Sequence, residues 1–138
     1  MKVILIGHAN TAIAMKKAVE MIYGEAPDFY PLTFSPKEGL ADLKAKLEAV
    51  VAKFSTDQIL VVTDLFSGTP YNAAAALAIN NQVTDVIAGM SLPICLEIVS
   101  LIRSATVAQV VDTVMKNYQS YTKAFSIVSK NDIEEDDL

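Results

Sequence analysis

The sequence predicts a doubly wound α/β domain, a mostly parallel sheet of order 2-1-3-4 with helices on both faces. Three observations predict it. Short apolar runs rich in β-branched residues (Val3 to Ile6, Ile59 to Val62, Asp85 to Ala88) read as strands buried on both faces. Stretches of helical apolar period separate them. Glycine and proline punctuate the alternation at Gly7, Gly24, Pro31, Pro70, Gly89 and Pro93. Strands that are each followed by a helix imply right-handed crossovers and a covered parallel sheet.

The elements follow in order. After the first strand, a helix from about Thr11 to Tyr23 carries Ile13, Met15, Ala18, Val19, Met21 and Ile22 as its apolar stripe and stops at Gly24. Phe29 to Phe34 reads as a second strand, with Pro31 placing it at an edge. Ser35-Pro36-Lys37-Glu38 has the look of an N-cap with a capping-box carboxylate, opening a helix that sends Leu40, Leu43, Leu47, Val50 and Val51 to a core. The strand at Ile59 to Val62 ends in a polar turn, Asp64 to Thr69, and Pro70 opens a helix to about Asn80-Asn81. Beyond the fourth strand, Pro93 starts a helix to Ile102 and Thr106 caps another to about Tyr121. Phe125 to Val128 is a final strand candidate. No repeat or linker interrupts this series, so one domain is expected over residues 1–130, followed by an acidic tail at 131–138.

Composition narrows the function. The 138 residues are 52% hydrophobic and 20% charged, which excludes a disordered chain. Five of the sixteen acidic residues lie in 131–138, which leaves eleven to match the eleven Lys and Arg and makes the body neutral. A neutral body offers no basic face for nucleic acid. One cysteine, Cys95 in an apolar run, permits no intramolecular disulfide and no thiolate metal cluster. One histidine gives too few ligands for another metal site, and neither GxGxxG nor a Walker-type loop is present, so no cofactor is expected. The apolar start Val3 to Ile6 is too short for a signal peptide, and no run nears the roughly 18 residues of a membrane span. A soluble, cytoplasmic chain is expected.

In a 2-1-3-4 sheet the winding reverses between strands 1 and 3, and ligands bind beyond the carboxyl ends of the strands at that point. There the sequence places Gly7-His8-Ala9-Asn10-Thr11 and Asp64-Leu65-Phe66-Ser67-Gly68-Thr69-Pro70. Neighbouring strands lie roughly 5 Å apart, close enough for His8 and Asp64 to meet. A carboxylate on one ring nitrogen fixes the tautomer and leaves the other nitrogen a nucleophile. It also stabilises the cationic ring that forms once phosphorus attaches. The amides at the start of the Pro70 helix form an anion site, which Gly68 opens to close approach and the Ser67 and Thr69 hydroxyls supplement. Transient phosphohistidine chemistry requires both parts. Taken singly, each part has a plainer reading: His8 as a structural hydrogen-bonding residue, Asp64 as a turn bridge, Ser67 to Pro70 as an ordinary helix start. A Ser67–His8–Asp64 hydrolase lacks a nucleophile elbow.

With these residues in view, the chain resembles the IIA component of the mannose/fructose/sorbose class of the bacterial phosphoenolpyruvate-dependent sugar phosphotransferase system. The resemblance rests on Ile4 to His8 with Ala12 beyond, Glu20 to Gly24, Thr63 to Ala73, and Ile87 to Pro93. It implies a transferase in which His8 takes a phosphoryl group on Nε2 from the phosphocarrier HPr and hands it to a IIB protein. Asp64 would hold Nδ1, while Thr69 and the turn amides would contact the phosphoryl oxygens. The sugar itself meets the membrane components IIC and IID. The resemblance further implies a homodimer that exchanges an antiparallel C-terminal strand, for which Phe125 to Val128 is in place. Many relatives carry glycine where this chain has Ala9, and some carry serine at Thr69. Two alternatives remain: a phosphotransfer subunit serving dihydroxyacetone kinase, and a non-catalytic flavodoxin-like module binding an anion or small ligand. Exposed apolar residues for docking are expected among Phe66, Met90, Leu92 and Pro93.

Overall fold

The strands form one four-stranded parallel sheet in the expected order, β2-β1-β3-β4, in a computed structural model that describes residues 1–136, with side chains described through Lys130. They are β1 (Lys2–His8), β2 (Phe29–Phe34), β3 (Ile59–Thr63) and β4 (Asp85–Ala88). Helices α1 (Thr11–Ile22), α2 (Leu40–Val51) and α3 (Thr69–Ile79) follow the first three strands. After β4 come α4 (Leu92–Leu101), α5 (Val107–Asn117), a 3-10 turn (Tyr118–Tyr121) and α6 (Phe125–Asp136).

The central strands explain why this order is stable. Val3, Ile4, Leu5 and Ile6 of β1 are all 0% exposed, so both faces of the sheet are covered. Side chains alternate along a strand. Val3 and Leu5 accordingly join Leu60 and Val62 under α1, α4 and α5, while Ile4 and Ile6 join Val61 under α2 and α3. Each such Leu, Ile or Val contributes about 1.5–3 kcal/mol by leaving water. On the α4 side, Cys95 is fully buried, and burial pushes its thiol up to about 12. A neutral, enclosed thiol is a poor nucleophile. Cys95 is therefore expected to resist a thiol-modifying disulfide reagent in the native protein at mildly alkaline pH and to react readily once concentrated guanidinium unfolds the chain, as read by the absorbance of the released aromatic thiolate.

Several elements depart from the sequence-based expectation. In α1, Ala12 and Val19 are buried, but Met21 is 88% exposed and Ile22 63%. Met21 lies two residues beyond Val19, about 200° around the helix, and so faces away from the sheet. The expected helix start at Ser35-Pro36 is instead a turn: the Glu38 amide donates to the Ser35 carbonyl at 3.1 Å, and the Ser35 amide donates to Glu38 Oε1 at 2.9 Å. Helix α2 begins only at Leu40, with Gly39 as N-cap and its amide donating to Asp42 Oδ2 at 2.8 Å. The cause is a long-range tie. Lys46 Nζ pairs with Glu38 Oε2 at 2.7 Å and donates to the Thr33 carbonyl at 2.7 Å, which binds the turn to the end of β2. The lysine contact, followed by the Ser35 amide, holds the Glu38 carboxyl below its ordinary range. The strand expected at Phe125 to Val128 is corrected to the first turn of α6, whose Ile127 and Val128 amides both donate to the Ala124 carbonyl, at 3.1 and 3.0 Å. A strand needs a neighbouring edge to satisfy its backbone, whereas a helix satisfies it from within the segment.

Candidate functional site

The carboxyl ends of β1 and β3 carry the site. His8 is the last residue of β1 and continues its even-numbered row, the one facing α2 and α3. In the parallel register Ile6 pairs with Thr63, so Asp64 emerges beside Gly7, one residue short of His8. Its carboxylate reaches across that glycine. Asp64 Oδ2 accepts the backbone amide of His8 at 2.8 Å and contacts His8 Nδ1 at 2.9 Å. A carboxylate oxygen accepts, so a hydrogen bond here calls for the proton on Nδ1, the tautomer of the neutral ring that leaves Nε2 its lone pair. The His8 carbonyl accepts the Thr11 hydroxyl at 2.5 Å, which ties the strand end to the first residue of α1.

Gly7 makes this approach possible. A methyl group there would sit 3.0 Å from Asp64 Cγ and 3.1 Å from Oδ2, so the carboxylate would have to move. Gly7→Ala is expected to lower stability by about 1–3 kcal/mol and to weaken the Nδ1 contact. Thermal denaturation and the loss of a slowly exchanging Nδ1–H signal check the two effects. The other oxygen, Asp64 Oδ1, is enclosed with no hydrogen-bond partner among the described residues. The carboxylate is thus committed to His8 through one atom.

The expected anion cradle, the start of α3, lies beside Cε1 of the ring, the carbon between Nδ1 and Nε2. Gly68 is the N-cap of α3, in extended backbone, with Pro70 in the first turn and no side chain capping the helix. The first-turn amides of Thr69 and Tyr71 have no acceptor within the helix. A Cβ built on Gly68 would meet His8 Cε1 at 3.6 Å, so the imidazole lies next to the helix start and a side chain at position 68 would touch it. Ser67 precedes it at φ +61°, a left-handed conformation that turns the chain sharply into the cradle. Ala9 also has positive φ, +52°. That conformation favours glycine, and alanine adopts it at a cost of about 1–2 kcal/mol.

Two contributors were not anticipated. Phe34 packs its ring against His8, with centroids 5.1 Å apart and planes at 68°. Together with Ala9, Ser35 and Pro36, they line a shallow cleft. The signal for Phe34 was its position as the last residue of β2, level with His8 in a parallel pair. Gly7 stands out in the sequence as punctuation at the end of the first strand, and a glycine beside an incoming carboxylate marks close approach. Of the expected docking residues, Phe66 is 67% exposed and packs against Tyr71 with ring centroids 4.8 Å apart and planes tilted by 53°. Leu65, not singled out, is exposed beside it, and Pro93 is exposed as well, whereas Met90 and Leu92 pack partly into the core. No helix among the described residues is long and apolar enough to cross a membrane.

Comparison with known proteins identifies the family and the fold. The profile of the family described as "PTS system fructose IIA component" matches residues 2–115. The sorbose-specific EIIA component of Lacticaseibacillus casei is 45% identical over 138 residues, covering 100% of both chains. The fructose-specific EIIA component of Bacillus subtilis is 38% identical over 100 residues, covering 72% of this chain and 68% of its own. Among solved structures, the phosphotransferase system component EIIA from Streptococcus agalactiae superposes with a TM-score of 0.83 at 27% identity, covering 91% of this chain and 98% of its own. The mannose/sorbose-specific IIA subunit from Enterococcus faecalis gives 0.80 at 27% identity, covering 90% and 93%. A match that takes in all four strands, both ends of the His8–Asp64 contact and the α3 cradle places the chain in one family: it belongs to the mannose-type EIIA proteins of the sugar phosphotransferase system.

Proposed function

We propose that this chain is a phosphohistidine relay of the cytoplasm, accepting a phosphoryl group from HPr on His8 Nε2 and passing it to a IIB protein. The observation that carries the reading is the 2.9 Å contact of His8 Nδ1 with Asp64 Oδ2 beside the start of α3. In the first step the Nε2 lone pair forms an N–P bond while the donor's N–P bond breaks and its electron pair returns to the donor nitrogen. Nδ1 keeps its proton, and Asp64 balances the charge that develops on the ring. The oxygens of the transferring group turn toward the Gly68, Thr69 and Tyr71 amides and the Ser67 and Thr69 hydroxyls. Phosphoryl transfer asks a protein for positioning and charge stabilisation, which these few groups supply.

His8 has a 51% exposed side chain, which suits transfer between docked proteins, and exposed Leu65 and Phe66 beside it offer those partners apolar contact. The chain works as a homodimer, a reading supported by the exposed Phe125, Ile127 and Val128. The sugar stays with the membrane components IIC and IID. Full-length similarity to a sorbose-specific component makes a ketohexose system the first to assay.

The test is incubation with phosphoenolpyruvate, enzyme I and HPr. A gain of about 80 Da, labile in acid and discharged by a cognate IIB protein, is expected. No gain in the presence of competent HPr overturns the relay in favour of a binding module, and discharge only to a dihydroxyacetone kinase subunit reassigns the acceptor.

A further inference from the structure

We propose that Phe34 is the positioning residue of the His8 imidazole, fixing the direction in which Nε2 presents itself; the inference rests on the reading of His8 as phosphoryl acceptor. Asp64 holds the ring by one nitrogen only. A single hydrogen bond leaves a half-exposed ring free to swing about that contact. What closes the swing is a slot. One side is bounded by the start of α3, where a Cβ built on Gly68 would meet His8 Cε1 at 3.6 Å and the Leu65 and Pro70 side chains at 3.8 Å. The other is bounded by the Phe34 ring, with its centroid 5.1 Å from that of His8 and its plane at 68°. This edge-to-face arrangement is one that aromatic pairs prefer.

Phe34 can serve as a wall because its own backbone is held on every side. It pairs with His8 in the parallel register, and its carbonyl accepts the Ala9 amide at 2.8 Å. The peptide groups flanking it are tied as well, the Thr33 carbonyl by Lys46 at 2.7 Å and the Ser35 amide by Glu38 at 2.9 Å. Lys46 and Glu38 are themselves paired at 2.7 Å, so one ion pair brackets the residue from both directions. The Ser35–Glu38 contact thus holds the wall of the site where the sequence had suggested a helix start. Phe34 offers no group to the reacting atoms and acts through the ring it confines.

The experiment compares wild type, Phe34→Ala, Phe34→Leu and Phe34→Tyr by two readouts. The first is the relaxation of the His8 ring C–H groups in histidine-labelled protein, which reports ring order on the ps–ns timescale. The second is the rate of phosphoryl uptake from phosphoramidate, a small donor that needs no protein docking. Phe34→Ala is expected to lower ring order and slow uptake about tenfold, with the Nδ1–H tautomer retained in the 15N spectrum. Phe34→Tyr, which keeps the aromatic wall, is expected to restore both. If Phe34→Ala does not fold, Phe34→Leu serves in its place, with ring order lowered and uptake about threefold slower. Wild-type ring order in the alanine variant (or in its leucine substitute) overturns the proposal whether or not any phosphoryl group is taken up, and reduced order with an unchanged uptake rate overturns it equally. Reduced order in a protein whose wild type accepts phosphorus from neither donor supports the confinement and refutes the reading of His8 as acceptor.

Discussion

His8→Ala is expected to take up no acid-labile phosphate from HPr while melting within a few degrees of wild type. The two halves of this expectation have separate physical grounds. The contacts that anchor this strand end use the backbone of residue 8: its amide donates to Asp64 Oδ2 at 2.8 Å, and its carbonyl accepts the Thr11 hydroxyl at 2.5 Å. Both survive truncation to alanine. The imidazole itself is half exposed, so its removal opens no sealed cavity, and the stability change should stay within about 1 kcal/mol. No other histidine exists in the chain to substitute for it. Intact-mass measurement after incubation with the donor system, paired with a melting curve of the same sample, checks both halves. A mass gain in the variant would move the acceptor to another residue and end the relay reading as stated.

The parts of this architecture that the sequence disclosed are those whose environment imposes one residue type. Val3 to Ile6 and Ile59 to Val62 are covered on both faces, so nearly every position must be apolar and the strands stand out in the sequence. The meeting of His8 and Asp64, 56 positions apart, was legible only through topology: once strands 1 and 3 are neighbours, their carboxyl ends coincide. What escaped depends on partners that no local pattern names. Ser35-Pro36-Lys37-Glu38 carries the chemistry of a helix start, yet Lys46, thirteen residues beyond Thr33, recruits the glutamate into a turn. Ile127 and Val128 carry strand propensity, but propensity is a weak preference in a segment with exposed side chains, and backbone bonds to Ala124 prevail. Phe34 looked like one more strand residue because its contact with His8 follows from register rather than composition.

Asp64→Asn is expected to slow phosphoryl uptake about 10²-fold with the fold retained, and the reason lies in how the carboxylate is seated. Oδ2 accepts two donors from His8, whereas Oδ1 is enclosed and has no partner among the described residues. An asparagine has two ways to occupy this place, and both are poor. With its oxygen at the Oδ2 position the tautomer survives, but an NH2 group is buried without an acceptor and the negative charge that balances the phosphorylated ring is gone. With the NH2 group toward His8, it confronts the backbone amide, and it would bond the ring only if Nδ1 gave up its proton to Nε2, the atom that must attack. Asp64→Ala removes the acceptor altogether and leaves the His8 amide unsatisfied at a cost of about 1–3 kcal/mol, so it should be slower still and also less stable. Rapid-quench kinetics on the two variants and the 15N shifts of the His8 ring discriminate these effects. The asparagine variant should divide between loss of charge and loss of tautomer according to its ring spectrum, and uptake at the wild-type rate in both variants would leave Asp64 a structural clasp for the β1 terminus and nothing more.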